Sequence, residues 1–222
     1  MSHRQQIMVI DPAVEEAELD CFNQLVMMSS LPLTYHLPAL FGIGSLKNVQ
    51  GDPAGIVVLG SASSVHDKRV WQRMLMEWLD PMMGKGVPTL GICFGHQMIA
   101  HHFGGKVQFV FQNKKKVRGF RNVHLNANPL WGAKPLEIPL FVSHNEVVVS
   151  CPEPMRIVGT SSEMAIEALA HKKLPIWTFQ PHPEATPSFA CEEGDLSDEE
   201  EKKFRFGHDL MRSFLDFVAR QG

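Results

Sequence analysis

Cysteine is scarce in this chain: four residues in 222, at positions 21, 93, 151 and 191, none of them in a CxxC pair. With no apolar run at the N-terminus, that scarcity argues against a disulfide scaffold, and a protein of the reducing cytoplasm without a secretory leader is expected. No apolar stretch approaches the roughly 18 residues that a membrane span requires, so a soluble protein is expected. Charge of one sign is missing too. The 21 Lys plus Arg against 24 Asp plus Glu leave a net charge of -3, which gives no field for a nucleic-acid backbone or an anionic membrane. The single basic run, Lys114 to Lys116, reads as a solvated turn. No GxxxxGK[ST] loop is present to cradle a nucleotide's phosphates. His101 and His102 are adjacent and would face different directions on a helix, so no metal site is expected and no cofactor is implied. There is no internal repeat and no long linker. With 44% apolar and 20% charged residues, residues 1–222 are expected to form one domain with an ordinary core.

What is present reads first as α/β. Ile7 to Ile10 is a buried-strand signal broken by Asp11-Pro12, and Val14 to Met28 suits a helix with acidic residues in its early turns. Residues 29–50 are rich in Pro and Gly and yield no clear element. A strand follows at Gly55 to Leu59. From Asp67 to Leu79 two apolar lines repeat at i,i+4, Val70–Met74–Trp78 and Trp71–Leu75–Leu79, predicting a helix that Pro81 and the glycines 84 and 86 would end. Val87 to Cys93 is a strand running straight into a helical start at Gly95. Strand, helix, strand and helix in this order imply a parallel sheet covered on both faces. Later come short strands at 107–111, 117–125, 136–142, 147–149, 155–158, 165–170 and 175–179, an antiparallel or mixed extension. Glu192 to Lys203 reads as a charged loop, and a final helix from about Lys203 to Ala219 aligns Leu210, Phe214 and Val218.

The most informative stretch is Gly91-Ile92-Cys93-Phe94-Gly95-His96-Gln97. A strand that ends at a cysteine between two glycines has the form of an elbow that lifts a nucleophile above a sheet. A sulfur at the start of a helix also lies near unpaired N–H groups, which favour the thiolate. Cys21, Cys151 and Cys191 lack this setting and read as structural. A thiol nucleophile needs a base, and the base an orienter. Among the eleven histidines, His182 follows the strand 176–179, stands between Pro181 and Pro183, and has Glu184 two residues on. Strand ends along one edge of a parallel sheet share a rim, so His182 is the candidate base.

Gly91 to Gln97, together with Phe179-Gln180-Pro181-His182-Pro183-Glu184, resembles the class I (triad) glutamine amidotransferase family, including the glutaminase half of GMP synthase. The likeness extends to Val57–Asp67, which is similar to the family's oxyanion loop, and to Ser143-His144-Asn145-Glu146, similar to the segment lining its glutamine pocket. It implies a three-layer, flavodoxin-like α/β fold with a central, mostly parallel sheet and a small antiparallel extension. It places the catalytic roles on Cys93, His182 and Glu184, the oxyanion donors on the backbone N–H groups of Ser61 and Phe94, and substrate contacts on Gly60, Gln97, Ser143, His144 and Asn145. Ser61 and Ala62 depart from the glycine and proline common in that loop, but the role asks for a backbone N–H. If the position required positive φ, serine there would be strained. Glu146 stands where aspartate is frequent. The substrate implied is glutamine or another γ-glutamyl compound, and no room is evident for an acceptor domain. Three readings stay open: a glutaminase subunit passing ammonia to a separate synthase, a free-standing γ-glutamyl hydrolase, and a weakened homologue used for binding or regulation.

Overall fold

Four-residue apolar strands in the first half of the chain send alternate side chains to opposite faces, and both faces are covered. The computed structural model describes residues 5–190 and 196–221. In chain order the first half comprises β1 (Ile7–Ile10), α1 (Leu19–Met28), β2 (Leu33–His36), α2 (Pro38–Phe41), α3 (Gly44–Lys47), β3 (Gly55–Val58), α4 (Val70–Gly84), β4 (Thr89–Ile92) and α5 (Phe94–His102). The second half adds β5 (Lys106–Phe109), β6 (Val117–Leu125), β7 (Leu136–His144), β8 (Glu146–Ser150), β9 (Met155–Thr160), β10 (Ala168–His171), β11 (Ile176–Phe179), α6 (Pro187–Ala190) and α7 (Asp198–Ala219).

Among the described residues nine strands form one sheet in the order β2-β1-β3-β4-β11-β10-β9-β6-β7, and β5 pairs with β8 apart from it. Pairing is parallel from β2 through β11 and antiparallel from there to β7. Ile7, Val9, Val57, Leu90 and Ile92 pack on one face against Leu25 of α1 and Leu210, Phe214 and Val218 of α7. Met8, Ile10, Ile56 and Val58 pack on the other face against Leu75 and Leu79 of α4 and Phe94, Met98 and Ile99 of α5. This is the three-layer arrangement expected, with the two-residue period of each strand serving both cores. No helix among the described residues is long and apolar enough to cross a membrane.

Of the differences from the sequence reading, four have a clear physical reason. The helix expected from Val14 begins only at Leu19. The buried Asp11 carboxylate accepts the N–H groups of Ala13 (2.9 Å) and Glu18 (2.8 Å), tying the intervening segment into a loop. The unassigned stretch 29–50 holds β2, which pairs with β1 from Ile7 opposite Leu33 and so depends on a distant partner. Helix α4 carries Pro81 inside it and continues to Gly84, because a proline near the C-terminal end costs few bonds and the last turn buries Met83. Its core line is Trp71–Leu75–Leu79, whereas Val70 is exposed. Helix α7 starts at Asp198, not Lys203. Ser197 and Glu200 form a reciprocal cap, and the four acidic residues 198–201 favour the positive end of a helix dipole. The acidic stretch is therefore helical from Asp198 onward. Residues 192–195 of the expected loop, Cys191 and His3 lie outside the described residues.

Candidate active site

Parallel pairing puts the ends of β3, β4 and β11 on one rim. Val58 lies opposite Gly91 and Phe179 opposite Ile92, so Leu59–Ser63, Cys93 and Gln180–Glu184 all leave the sheet at the same edge. Cys93 itself takes the turn, with φ 49 and ψ -99, a sparsely populated conformation for a residue with a Cβ. The flanking glycines fit a sharp turn and a close approach of neighbouring chains, and the close approach is what they provide. Neither has positive φ; they supply space. A Cβ on Gly95 would lie 2.4 Å from the Val58 carbonyl oxygen, and one on Gly91 would lie 2.8 Å from the Gly95 carbonyl oxygen. The Cys93 N–H donates to the Phe179 carbonyl (2.8 Å), pinning the elbow to β11.

His182 is held on three sides. Its Nδ1 donates to Glu184 Oε1 at 2.9 Å, its backbone N–H donates to the Phe141 carbonyl at 2.8 Å, and its ring lies against Phe189 with centroids 4.9 Å apart. A carboxylate at Nδ1 sets the tautomer. Nε2 is buried, and the Cys93 side chain interacts with the ring. Burial opposes the imidazolium, but the charges of Glu184 and Cys93 outweigh it and push the His182 pKa up. A Cβ on Gly60 would lie 2.9 Å from His182 Cε1 and 3.6 Å from Cys93 Cβ, so this glycine leaves the room in which the two side chains sit.

Gly60, Ser61, Cys93, Gln97, Ser143, His144, Asn145, His182 and Glu184 line one cavity of about 550 Å³. Of the expected site residues, only the Phe94 side chain points elsewhere, into the core beside α4, as suits a residue expected to act through its backbone. Neither the Ser61 nor the Phe94 N–H is used in a hydrogen bond among the described residues. Ser61 has no positive φ, and its hydroxyl donates to the Pro12 carbonyl (2.7 Å) and accepts the Ser63 N–H (3.1 Å). Gln97 was expected at the substrate; both of its amide hydrogens instead go to the protein, to the Glu146 carbonyl (2.8 Å) and Gln180 Oε1 (3.2 Å). Burial, helped by Arg121 and His182, brings the His144 pKa down to about 3. Burial does the same, to about 3, for His96, whose Nδ1 pairs with Thr178 Oγ1. Both are neutral, and neither has a carboxylate partner to make it a base.

Sequence reasoning missed several residues of the cavity. Lys116, expected in a solvated turn, is in the lining with Arg118. Glu18 also lines it, its carboxyl pushed up to about 7 by burial and by the charges of Asp11 and Glu184. No local pattern marks these three, because β6 and the loop after β1 meet only in the folded chain. Gln180, fully buried, directs its Nε2 to Cys93 Sγ at 3.7 Å; its place two residues before His182 was the available signal.

A model of the family described as "Glutamine amidotransferase class-I" matches residues 36–192. GMP synthase (glutamine-hydrolyzing) of Thermosipho africanus is 29% identical over 200 residues, covering 90% of this chain and 34% of the relative. The protein of the same name from Thermosipho melanesiensis is 26% identical over 169 residues, 76% of this chain and 28% of the relative. The chain thus spans about a third of the length of these curated relatives. A solved structure from Thermoplasma acidophilum, described as "a putative gmp synthase subunit a protein", has a TM-score of 0.74 at 22% identity and covers 100% of this chain and 97% of its own. A glutamine amidotransferase from Thermotoga maritima gives 0.74 at 17% identity, covering 97% and 98%. Both share this fold.

Proposed function

Because the chain belongs to the class I glutamine amidotransferase family, we propose that it hydrolyses the side-chain amide of glutamine through a γ-glutamyl thioester on Cys93. The thiolate attacks the amide carbon, and the carbonyl electron pair moves onto oxygen, which the N–H groups of Ser61 and Phe94 receive. As the C–N bond breaks, His182 Nε2 gives its proton to the departing ammonia. The neutral imidazole then takes a proton from water as the water attacks the thioester, and glutamate leaves as the thiolate and imidazolium are restored. Glu184 keeps Nδ1 protonated and stabilises the cation. Each bond and proton change is assigned to groups of this chain. Gly60, Gln97, Ser143, His144 and Asn145 line the cavity that would receive the rest of the substrate.

The observation that carries this reading is the buried His182, tied to Glu184 at Nδ1 and meeting the Cys93 side chain over Gly60 on the same rim. The ammonia is assigned to a separate synthase as acceptor, in keeping with curated relatives whose name joins glutamine hydrolysis to GMP synthesis. The test is ammonia release from glutamine by the purified protein, with C93A as the baseline; equal rates in the two would reject the proposal.

A second reading, hydrolysis of other γ-glutamyl amides, is favoured by the reach of the cavity past the catalytic residues to Lys116 and Arg118. The same acyl-enzyme would form from a γ-glutamyl peptide. A panel of such peptides, run beside glutamine, separates the two by their kcat/KM ratio. A weakened regulatory homologue was suggested by the serine of the oxyanion loop. That serine lies outside the left-handed region and brings no strain of that kind.

A further inference from the structure

Gln180, Gln97 and the carbonyl of Glu146 form a chain of buried hydrogen bonds that ends on the proposed nucleophile. Gln180 is fully buried, and Gln97 and Glu146 nearly so. A carboxamide can present either a donor or an acceptor at a given place, and which one it presents follows from its partners. Here the partners leave one choice. The Glu146 carbonyl can only accept, so the group of Gln97 facing it at 2.8 Å is the NH2. The other hydrogen of that NH2 goes to Gln180 at 3.2 Å, which therefore presents its oxygen there. The remaining end of Gln180, at 3.7 Å from Cys93 Sγ, is then the NH2. Turning Gln180 over would set two donors against each other next to Gln97 and an oxygen against the sulfur. The Glu146 carbonyl is itself fixed, since it belongs to β8 and its neighbour Asn145 accepts the Val110 N–H at 2.8 Å.

We propose that this relay makes Gln180 a dedicated donor to the Cys93 sulfur, with Gln97 as the positioning residue that holds the donor in place. The proposal rests on the reading of Cys93 as the nucleophile. A thiol sulfur is a weak acceptor, whereas hydrogen bonds to a charged acceptor are roughly twice as strong as neutral ones. The Gln180 donor therefore stabilises the thiolate more than the thiol. The neutral thiol has a competing use for its hydrogen, which it can donate to the Ser143 carbonyl at 3.9 Å, and that contact turns repulsive once the proton is lost. The relay thus offsets an acceptor that the pocket wall places beside the sulfur. It also joins the nucleophile to the wall formed by residues 143–146.

The test is the pH dependence of Cys93 alkylation by iodoacetamide, read by mass spectrometry on the intact protein, for wild type, Gln180→Met and Gln97→Met. Methionine keeps the length of the side chain and removes the amide. The titratable or charged groups that line the cavity with Cys93 are His182 and Glu184 after β11, His144 and Glu146 at the β7–β8 turn, Arg118 on β6, Lys116 just before it, and Glu15, Glu16 and Glu18 after β1. None is changed in either variant. Gln180→Met is expected to slow alkylation about tenfold at a pH below the midpoint and to move the midpoint upward, in line with the loss of one hydrogen bond to a charged group. Gln97→Met is expected to move it in the same direction although Gln97 does not touch the sulfur, because Gln180 is then able to turn its oxygen inward. Circular dichroism identifies a variant that fails to fold, and the other then decides. An unchanged midpoint in a folded variant overturns the relay. Ammonia release by C93A equal to wild type overturns the nucleophile assignment instead, so the two failures are distinct.

Discussion

Gly60→Ala isolates the space in which the proposed base and nucleophile meet. Its Cβ would sit 2.9 Å from His182 Cε1, short of an ordinary carbon contact by roughly 0.5–1 Å. His182 has little room to retreat. Glu184 holds Nδ1, the Phe141 carbonyl holds the backbone, and Phe189 lies on the ring. Either the imidazole shifts and Nε2 loses its aim at the reacting atoms, or the loop bearing Gly60 shifts and carries the Ser61 N–H with it. A misplacement of about 1 Å costs on the order of a hundredfold in rate. Overpacking by one methyl costs about 1–3 kcal/mol of stability, a modest loss in melting temperature for a chain of this size. Two other glycines frame the result. At Gly95 the new Cβ would meet a strand carbonyl at 2.4 Å, and the sheet cannot move aside, so Gly95→Ala should lose the fold. At Gly84 nothing lies within 4 Å, and Gly84→Ala should leave both properties unchanged. Ammonia release from glutamine and thermal melting of all three variants form the assay. A Gly60→Ala rate within threefold of wild type would refute the reasoning, and so would a collapse in stability as large as that of Gly95→Ala.

H182A should lose nearly all turnover in the ammonia assay, since it removes the proposed acid and base, whereas E184A should keep a small measurable rate; wild-type-like turnover in H182A would point to another base. S61G should change the rate less than about tenfold, because the proposed role falls to the backbone N–H, while losing two hydrogen bonds worth about 0.5–1.5 kcal/mol each in stability. A hundredfold gain in S61G would instead mean that the natural loop is held inactive. Glu18 binds its proton more tightly in the folded state, with a pKa raised from 4.5 to about 7, so its contribution is present below pH 4.5 and lost as pH rises through 7. E18Q should therefore gain melting temperature over wild type at pH 8 relative to the difference at pH 4.5, and an equal difference at both would contradict the burial of that carboxyl. His96 and His144 have the opposite sign: lowered from 6.5 to about 3, they stabilise above pH 6.5 and lose that contribution as pH falls toward 3. Melting followed from pH 7 to pH 4 in H96N should fall less steeply than in wild type.

Much of the candidate site was legible because its chemistry is written in contiguous residues. The elbow lies within 91–97, and the bond between His182 and Glu184 spans two residues, so proximity in sequence already limits their separation in space. The end of α7 was equally legible, since Leu210, Phe214 and Val218 repeat at helical spacing and all three are buried. Its start was local too and was misread: the Ser197–Glu200 cap and the acidic first turn mark a helix N-terminus, which a charge run conceals when it is taken only as a solvated loop.

Other features had no local trace. Strand β2 is extended because β1 lies beside it, and α1 is delayed because a buried Asp11 uses the backbone donors ahead of it. Lys116 and Glu18 enter the cavity from segments far apart in the chain. The sequence by itself determined the short buried strands, the elbow and the adjacent His182–Glu184 pair, all consequences of backbone sterics and short-range spacing. Tertiary structure alone decided that Gly60 leaves room for His182, that Cys93 rather than its glycines takes the strained turn, and that Gln97 faces inward to Gln180. Each of these depends on contact distances and on hydrogen-bond direction between remote segments, and neither exists until the chain has closed.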